Sequence, residues 1–202
     1  MIRVLVLIPC LDYPIRTIES IEAQTVRCDY LLATDKTNPS KTKGERVSIA
    51  LNKVLATIDL RHYDWLLKID SDTTIPKNFI EDNIKCNYDL MGTGRALLIK
   101  VGPFIKYCNG VFVPTVSDDE YIIYIFSSAS NNIYKRRWFI SPDSIHIEPK
   151  IDFKTRYLIG VQNGRLIKLM NPRGIVAHPI YIIGWIMGLI FYPKLPRYLK
   201  PS

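Results

Sequence analysis

The sequence predicts an α/β domain built on a parallel sheet, and three observations carry that prediction. Apolar runs of strand length (residues 2–8, 29–34 and 65–69) alternate with two segments of helical period (15–24 and 45–58). This β-α-β-α-β order makes a parallel sheet with helices packed on its faces. The third run ends in two carboxylates, Asp70 and Asp72, at the carboxyl end of a strand, where open α/β sheets bind ligands. Finally, 202 residues with 48% hydrophobic and 23% charged content suffice for one filled core and exclude a disordered chain.

Each element follows from its own pattern. Residues 2–8 (IRVLVLI) are apolar and β-branched, as a strand buried on both faces requires. Pro9-Cys10-Leu11-Asp12-Tyr13-Pro14 stops the run and forms a loop. Residues 15–24 place Ile15, Ile18, Ile21 and Glu22 at near-helical spacing, which predicts a short amphipathic helix. A second strand at 29–34 is ended by Asp35, and 36–44 (KTNPSKTKG) form a polar, basic loop. Residues 45–58 bring Val47, Leu51, Val54, Leu55 and Ile58 to one helical face. Beyond the third strand (65–69), Pro76 is well placed to open a helix over 77–87, with Phe79, Ile80, Asn83 and Ile84 inward. Residues 88–91 predict a strand, and Gly92-Thr93-Gly94 breaks the chain before 95–101. That G-x-G lacks the third glycine and the helix of a dinucleotide fingerprint. Residues 104–113 read as a strand pair turning at Asn109-Gly110, and 121–126 (YIIYIF) as another strand before a small-residue loop at 127–132.

Asp70 and Asp72 are the chemical centre of this pattern. Two anions one residue apart at the end of a buried strand repel each other and lose solvation. A divalent cation removes that cost, because Mg²⁺ and Mn²⁺ are often held by one or two carboxylates with substrate phosphates. The plain alternative is an acidic turn in which Asp72 caps the next helix. A net charge of +8 suits a phosphorylated or polyanionic partner, or an anionic membrane surface. No recognisable DNA- or RNA-binding motif accompanies it, so no nucleic-acid partner is expected. Lys41, Lys43 and Arg46 cluster at a loop-to-helix junction, either adding positive charge to a site or forming a solvated basic loop. The cysteines (10, 28, 86 and 108) show no CxxC and read as structural thiols of a reducing compartment. The N-terminal apolar run is too short for a secretory signal, which points to a cytoplasmic protein.

Taken in order, a strand ending in Pro9, a helix ending in Gln24-Thr25 and a second strand ending in Asp35 precede a helix containing Arg46 and Asn52 and the strand into Asp70-Ser71-Asp72. That arrangement resembles the nucleotide-binding half of a GT-A fold glycosyltransferase, closest to glycosyltransferase family 2. The resemblance covers the first half well and the second loosely. Asp12 stands where the family often has Asn, and Asp35-Lys36-Thr37 replaces the usual D-G-S. Chain length makes one domain the default, and the resemblance implies its halves: a Rossmann-like nucleotide-sugar-binding half over 1–100 with a mostly parallel mixed sheet and a smaller acceptor half over 101–179, before the apolar, basic segment over 180–202. The resemblance further implies that Pro9 and Asp12 line the nucleoside pocket with Arg46 on the donor side. Asp35 would contact base or ribose, the alternative being a strand-end turn. Asp70 would face the ribose or the metal, and Asp72 would ligate the metal that bridges the donor's diphosphate.

The second half would hold the acceptor. In 133–139 (IYKRRWF), Tyr134 and Trp138 are suited to stacking on a sugar and Arg136 and Arg137 to phosphate, unless the segment is a helix with a basic face. By the resemblance, Asp152, followed by Arg156 and Gly164 at familiar spacing, is the general base of an inverting displacement, with Glu148 in reserve. The alternative for Asp152 is a first-turn carboxylate favoured by the helix dipole. His178, at the end of a hairpin expected over 165–177, is by the same resemblance a third metal ligand, or else a structural histidine. Residues 180–192 (IYIIGWIMGLIFY) are too few to span a bilayer. With Lys194, Arg197 and Lys200 they suit peripheral membrane contact, a homo-oligomer interface or docking on the core.

The expected function is a metal-dependent, inverting glycosyltransferase (a hexosyltransferase). It would move a sugar from a nucleotide-diphosphate donor to a hydroxyl of a lipid-linked, protein or glycan acceptor. A nucleotidyltransferase is the nearest rival, but Pro9-Cys10-Leu11-Asp12 occupies the place of its Gly-rich loop. A non-catalytic, membrane-associated binding or scaffold protein with the same fold is the other alternative.

Overall fold

A computed structural model describes residues 2–34, 42–93 and 95–114, together with Ile122, Ile123, Ile125, Phe126, Ala129 and Ile186. The N-terminal apolar run is strand β1 (Val4–Pro9), buried throughout. Helix α1 (Ile15–Glu22) leads to β2 (Cys28–Ala33). Helix α2 (Lys43–Leu55) leads, through a 3-10 turn at Leu60–His62, to β3 (Trp65–Ile69). Helix α3 (Phe79–Lys85), the strands β4 (Leu90–Thr93) and β5 (Ala96–Lys100), and helix α4 (Val101–Cys108) follow. The strand order is β2-β1-β3-β5-β4. β1 pairs in parallel with β2 and β3, whereas β5 runs antiparallel to β3 and β4. The sheet is therefore mixed and mostly parallel.

Side-chain alternation sorts the layers, since neighbouring residues of a strand face opposite sides of the sheet. Val4, Val6 and Ile8 of β1, with Leu67 and Ile69 of β3, pack on Ile18 and Ile21 of α1 and on Phe79 and Ile80 of α3. Leu5, Leu7 and Leu66 pack on the opposite layer, formed by Leu51 and Leu55 of α2 and Phe104 and Cys108 of α4. Burying each such side chain is worth about 1.5–3 kcal/mol. That burial makes β1 and β3 the rigid floor on which the loops beyond them are mounted.

Four expectations are corrected. Helix α2 begins at Lys43 rather than Glu45, because Thr42 and Glu45 form a capping box: the Glu45 amide donates to Thr42 Oγ1 (3.3 Å) and the Thr42 amide to Glu45 Oε2 (2.8 Å). Pro76 does not open α3; Asn78 is the N-cap, and the Pro76 carbonyl accepts from the Phe79 amide at 3.0 Å. The strand pair expected over 104–113 is not formed: its first part, through Cys108, belongs to helix α4 (Val101–Cys108). Pro103 is tolerated in the first turn, where amides have no intrahelical partner, and Asn109 (φ 54°) and Gly110 (φ 69°) end the helix in the left-handed region. Ile122, Ile123, Ile125 and Phe126 are also helical, with Ile122, Ile125 and Phe126 buried at the i, i+3, i+4 spacing of a helix face. All four cysteines are free thiols. Among the described residues no helix is long and apolar enough to cross a membrane.

Candidate functional site

β1, β2 and β3 run parallel, so their carboxyl ends lie side by side. The chain goes from β1 to one neighbour and then crosses to the other, and open sheets bind ligands at this kind of reversal. A cleft of about 470 Å³ opens there. The loop from Pro9 to Pro14 forms one wall, and Lys43, Arg46, Val47 and Ala50 of α2 form another. Ala33, at the end of β2, and Ser71, just beyond β3, complete the lining. The volume falls in the usual range of small-molecule sites.

The electrostatics of the cleft favour an anion. Lys43 and Arg46 stand in the first turns of α2, whose N-terminal end carries partial positive charge from its amides. Arg46 Nε is buried and has no hydrogen-bond partner among the described residues. Such a donor is costly to leave unpaired, and a bound oxygen atom would relieve it.

The acidic turn closes the third strand. The Asp70 amide donates to the Arg95 carbonyl (2.8 Å), and the Asp70 carbonyl accepts from the Thr73 amide (3.0 Å), so Asp70 to Thr73 form a hydrogen-bonded turn. Asp70 Oδ1 lies 3.2 Å from Nζ of Lys68, whose side chain is 3% exposed. Asp72 is exposed. Among the described residues no three acidic, histidine or cysteine side chains gather as a ready-made cation cage. The turn offers two carboxylates, one already facing an ammonium. That donor set fits Mg²⁺ or Mn²⁺ when oxygens of a bound diphosphate complete the shell.

Pro9, Asp12 and Arg46 thus line one cleft, and Asp70 and Asp72 flank Ser71, which lines it too. Asp35, Asp152 and His178 lie outside the described residues, as do Lys41, Glu148, the 133–139 segment and 180–202 apart from Ile186. Sequence reasoning missed Lys68, although a lone lysine inside an apolar strand, two residues before a carboxylate, was a usable signal. It also missed Tyr13, 64% exposed and lining the cleft, for which the sequence gives no periodic cue.

No family model and no curated protein matches the sequence. Solved structures do. The chain is similar to S. aureus TarS, with a TM-score of 0.53 and 11% identity over 82% of this chain. The fold is that of the GT-A glycosyltransferases. The chain spans 42% of the length of TarS. Weaker likenesses run to a mutant of Drosophila β-1,4-galactosyltransferase 7 in complex with manganese, UDP-Gal and xylobiose (TM-score 0.48, 12% identity, 74% of this chain and 72% of that one). Another is to a glycosyltransferase involved in glycosylation of the major capsid of PBCV-1 (TM-score 0.35, 12% identity, 66% and 71%). Within this fold the cleft lies at the carboxyl ends of β1, β2 and β3.

Proposed function

We propose that this protein is a glycosyltransferase that takes a sugar from a nucleoside-diphosphate donor and passes it, with inversion, to an acceptor hydroxyl. The observation that carries the reading is the cleft itself: it joins the Pro9–Pro14 loop, the positive first turns of α2 and the Asp70–Asp72 turn at one edge of a GT-A sheet. The nucleoside rests against Pro9 and Asp12, and Asp35 meets the base or ribose. Lys43 and Arg46 offset the negative charge of the diphosphate. Asp72 and Asp70, with His178 as a further candidate, would hold Mg²⁺ or Mn²⁺, which supplies Lewis-acid neutralisation of the leaving diphosphate. In the displacement the acceptor oxygen bonds to the anomeric carbon as the bond to the diphosphate oxygen breaks. Asp152 takes the hydroxyl proton. Acceptors compatible with this chemistry include lipid-linked, protein and glycan hydroxyls.

Calorimetric titration with UDP, GDP and their sugars, with and without Mn²⁺, tests the proposal on wild type and Asp72→Ala. Metal-dependent binding of one nucleotide, lost in the variant, supports it. No binding of any nucleotide under any metal condition overturns it in favour of a non-catalytic scaffold.

A further inference from the structure

Helix α1 carries a polar stripe beside its apolar one. Thr17 and Ser20 of α1, with Gln24 and Thr25 just beyond its end, reach across to the chain that follows β3. Thr17 Oγ1 donates to the Ser71 carbonyl at 2.7 Å. Ser20 Oγ accepts from the Ile75 amide at 3.3 Å. The Gln24 carboxamide bridges two points, donating to the Pro76 carbonyl (2.8 Å) and accepting from the Ile80 amide (3.2 Å). The Thr25 amide donates to the Lys77 carbonyl at 3.0 Å. The acidic turn and its continuation into α3 are therefore laid along α1 by side-chain hydrogen bonds.

Thr17 stands apart from the other members of the stripe. Its side chain belongs to a residue only 1% exposed, and its hydroxyl meets the Ser71–Asp72 peptide, one of the two that join the carboxylate-bearing residues. A peptide group is planar, so turning the Ser71 carbonyl toward α1 turns the Asp72 amide the opposite way. It also takes the carbonyl's partial negative charge away from a cleft that Ser71 lines and that Arg46 and Lys43 make positive. Ile75, only 6% exposed, already anchors the segment by packing, so the turn does not need Thr17 merely to stay on the protein.

We infer that Thr17 is a positioning residue of the donor site: its hydroxyl sets the orientation of the Ser71 peptide and so the placing of Asp70 and Asp72 toward a divalent cation. This rests on the reading of the cleft as a nucleoside-diphosphate and cation site. Misplacing such a constellation by a fraction of an ångström is enough to weaken it.

The experiment compares wild type, Thr17→Val and Thr17→Ser by calorimetric titration of UDP or GDP, whichever wild type binds, across a Mn²⁺ series. Urea unfolding is measured in parallel. Valine keeps the shape and loses the hydroxyl, whereas serine keeps the hydroxyl. The expected result is a loss of about tenfold in apparent Mn²⁺ affinity for the valine variant, or about 1.4 kcal/mol, with serine within about twofold of wild type. If Thr17→Val does not fold, Thr17→Ala removes the same hydroxyl without the branched side chain. Should the folded hydroxyl-free variant be less stable yet keep wild-type Mn²⁺ dependence, Thr17 is structural only and the inference falls. A wild type that binds no nucleotide with Mn²⁺ overturns the donor-site reading and the inference together, a distinct outcome.

Discussion

Asn52→Leu removes, from one side chain, two hydrogen bonds that tie α2 to the chain beyond α4. Asn52 Nδ2 donates to the Phe112 carbonyl at 2.6 Å, and Asn52 Oδ1 accepts from the Phe112 amide at 2.8 Å. Phe112 is fully buried and packs on Phe104 at 5.2 Å between ring centroids, so water does not readily replace the lost partners. Each buried backbone group left unpaired costs about 1–3 kcal/mol. Leucine returns about 1 kcal/mol through apolar burial, leaving a net loss of about 3 kcal/mol. For a chain of this size that lowers Tm by about 6–12 °C. Urea unfolding should show a lower midpoint with an unchanged m-value. Arg46 lies about 9 Å up the helix axis, so nucleotide binding measured well below the transition should stay within about twofold. Asn52→Asp sharpens the test. Its charged oxygen would face the Phe112 carbonyl, and only the protonated acid can donate there, so folding raises its pKa. Its stability deficit against wild type should be smallest below the ordinary aspartate range and grow as pH rises through the raised folded value. A deficit for Asn52→Leu under about 1 kcal/mol, or an Asn52→Asp deficit that does not change with pH, would refute the argument.

Three further outcomes are expected. Lys68→Met should raise the affinity for Mn²⁺ alone, because it frees Asp70 from an ammonium at 3.2 Å, while lowering stability through loss of a pair that is buried on the lysine side; equal Mn²⁺ titrations for both proteins would count against this. Hydrogen bonds from the Arg61 side chain, and then from its amide, hold the Asp59 carboxyl down to about 2 from an ordinary 3.8. Its contribution to stability is thus complete above about pH 4 and fades toward pH 2; an NMR titration should show the low midpoint in wild type and its return upward in Arg61→Ala. Burial pushes the thiols of Cys28 and Cys108 up to about 11 and about 12, with Asp29 adding to the first. Iodoacetamide at pH 8 should therefore leave both unmodified in the native protein and label both in urea, as read by mass spectrometry.

The strands were legible where burial on both faces left little choice of residue. β3 coincides with its apolar run, and β1 lies within one or two residues of its own. Helices were harder at their ends, because ends are set by local hydrogen bonds rather than by periodicity. The Thr42–Glu45 capping box was present in the sequence but sat inside a stretch dominated by lysines. Asn109-Gly110 was ambiguous in kind: both residues supply the left-handed conformation, which a hairpin and a helix terminus use equally. The apolar run at 121–126 was too short for periodicity to separate strand from helix. At the cleft, Pro9 and Asp12 were reached through the family resemblance and Arg46 also by its place at a loop-to-helix junction, and all three line it. Thr17 was not, since its role depends on a partner 54 residues away that only the tertiary structure brings near.

The charge balance around the acidic turn bears on how donor and cation meet. Asp70 already faces Lys68, so the turn presents less negative charge than its two carboxylates suggest. With its remaining carboxylate exposed, such a turn binds a free divalent cation weakly, because water competes well for so few protein oxygens. The opposite wall, with Lys43, Arg46 and the first turns of α2, carries positive charge that suits a phosphate group without any metal. On the proposed reading, the phosphate oxygens complete the cation's shell while the cation relieves their repulsion from Asp72. Each ligand then raises the other's affinity by the same factor, as linkage requires. On that reading the positive wall captures the nucleotide, and the acidic turn, held by Lys68 and Thr17, responds to what the nucleotide brings.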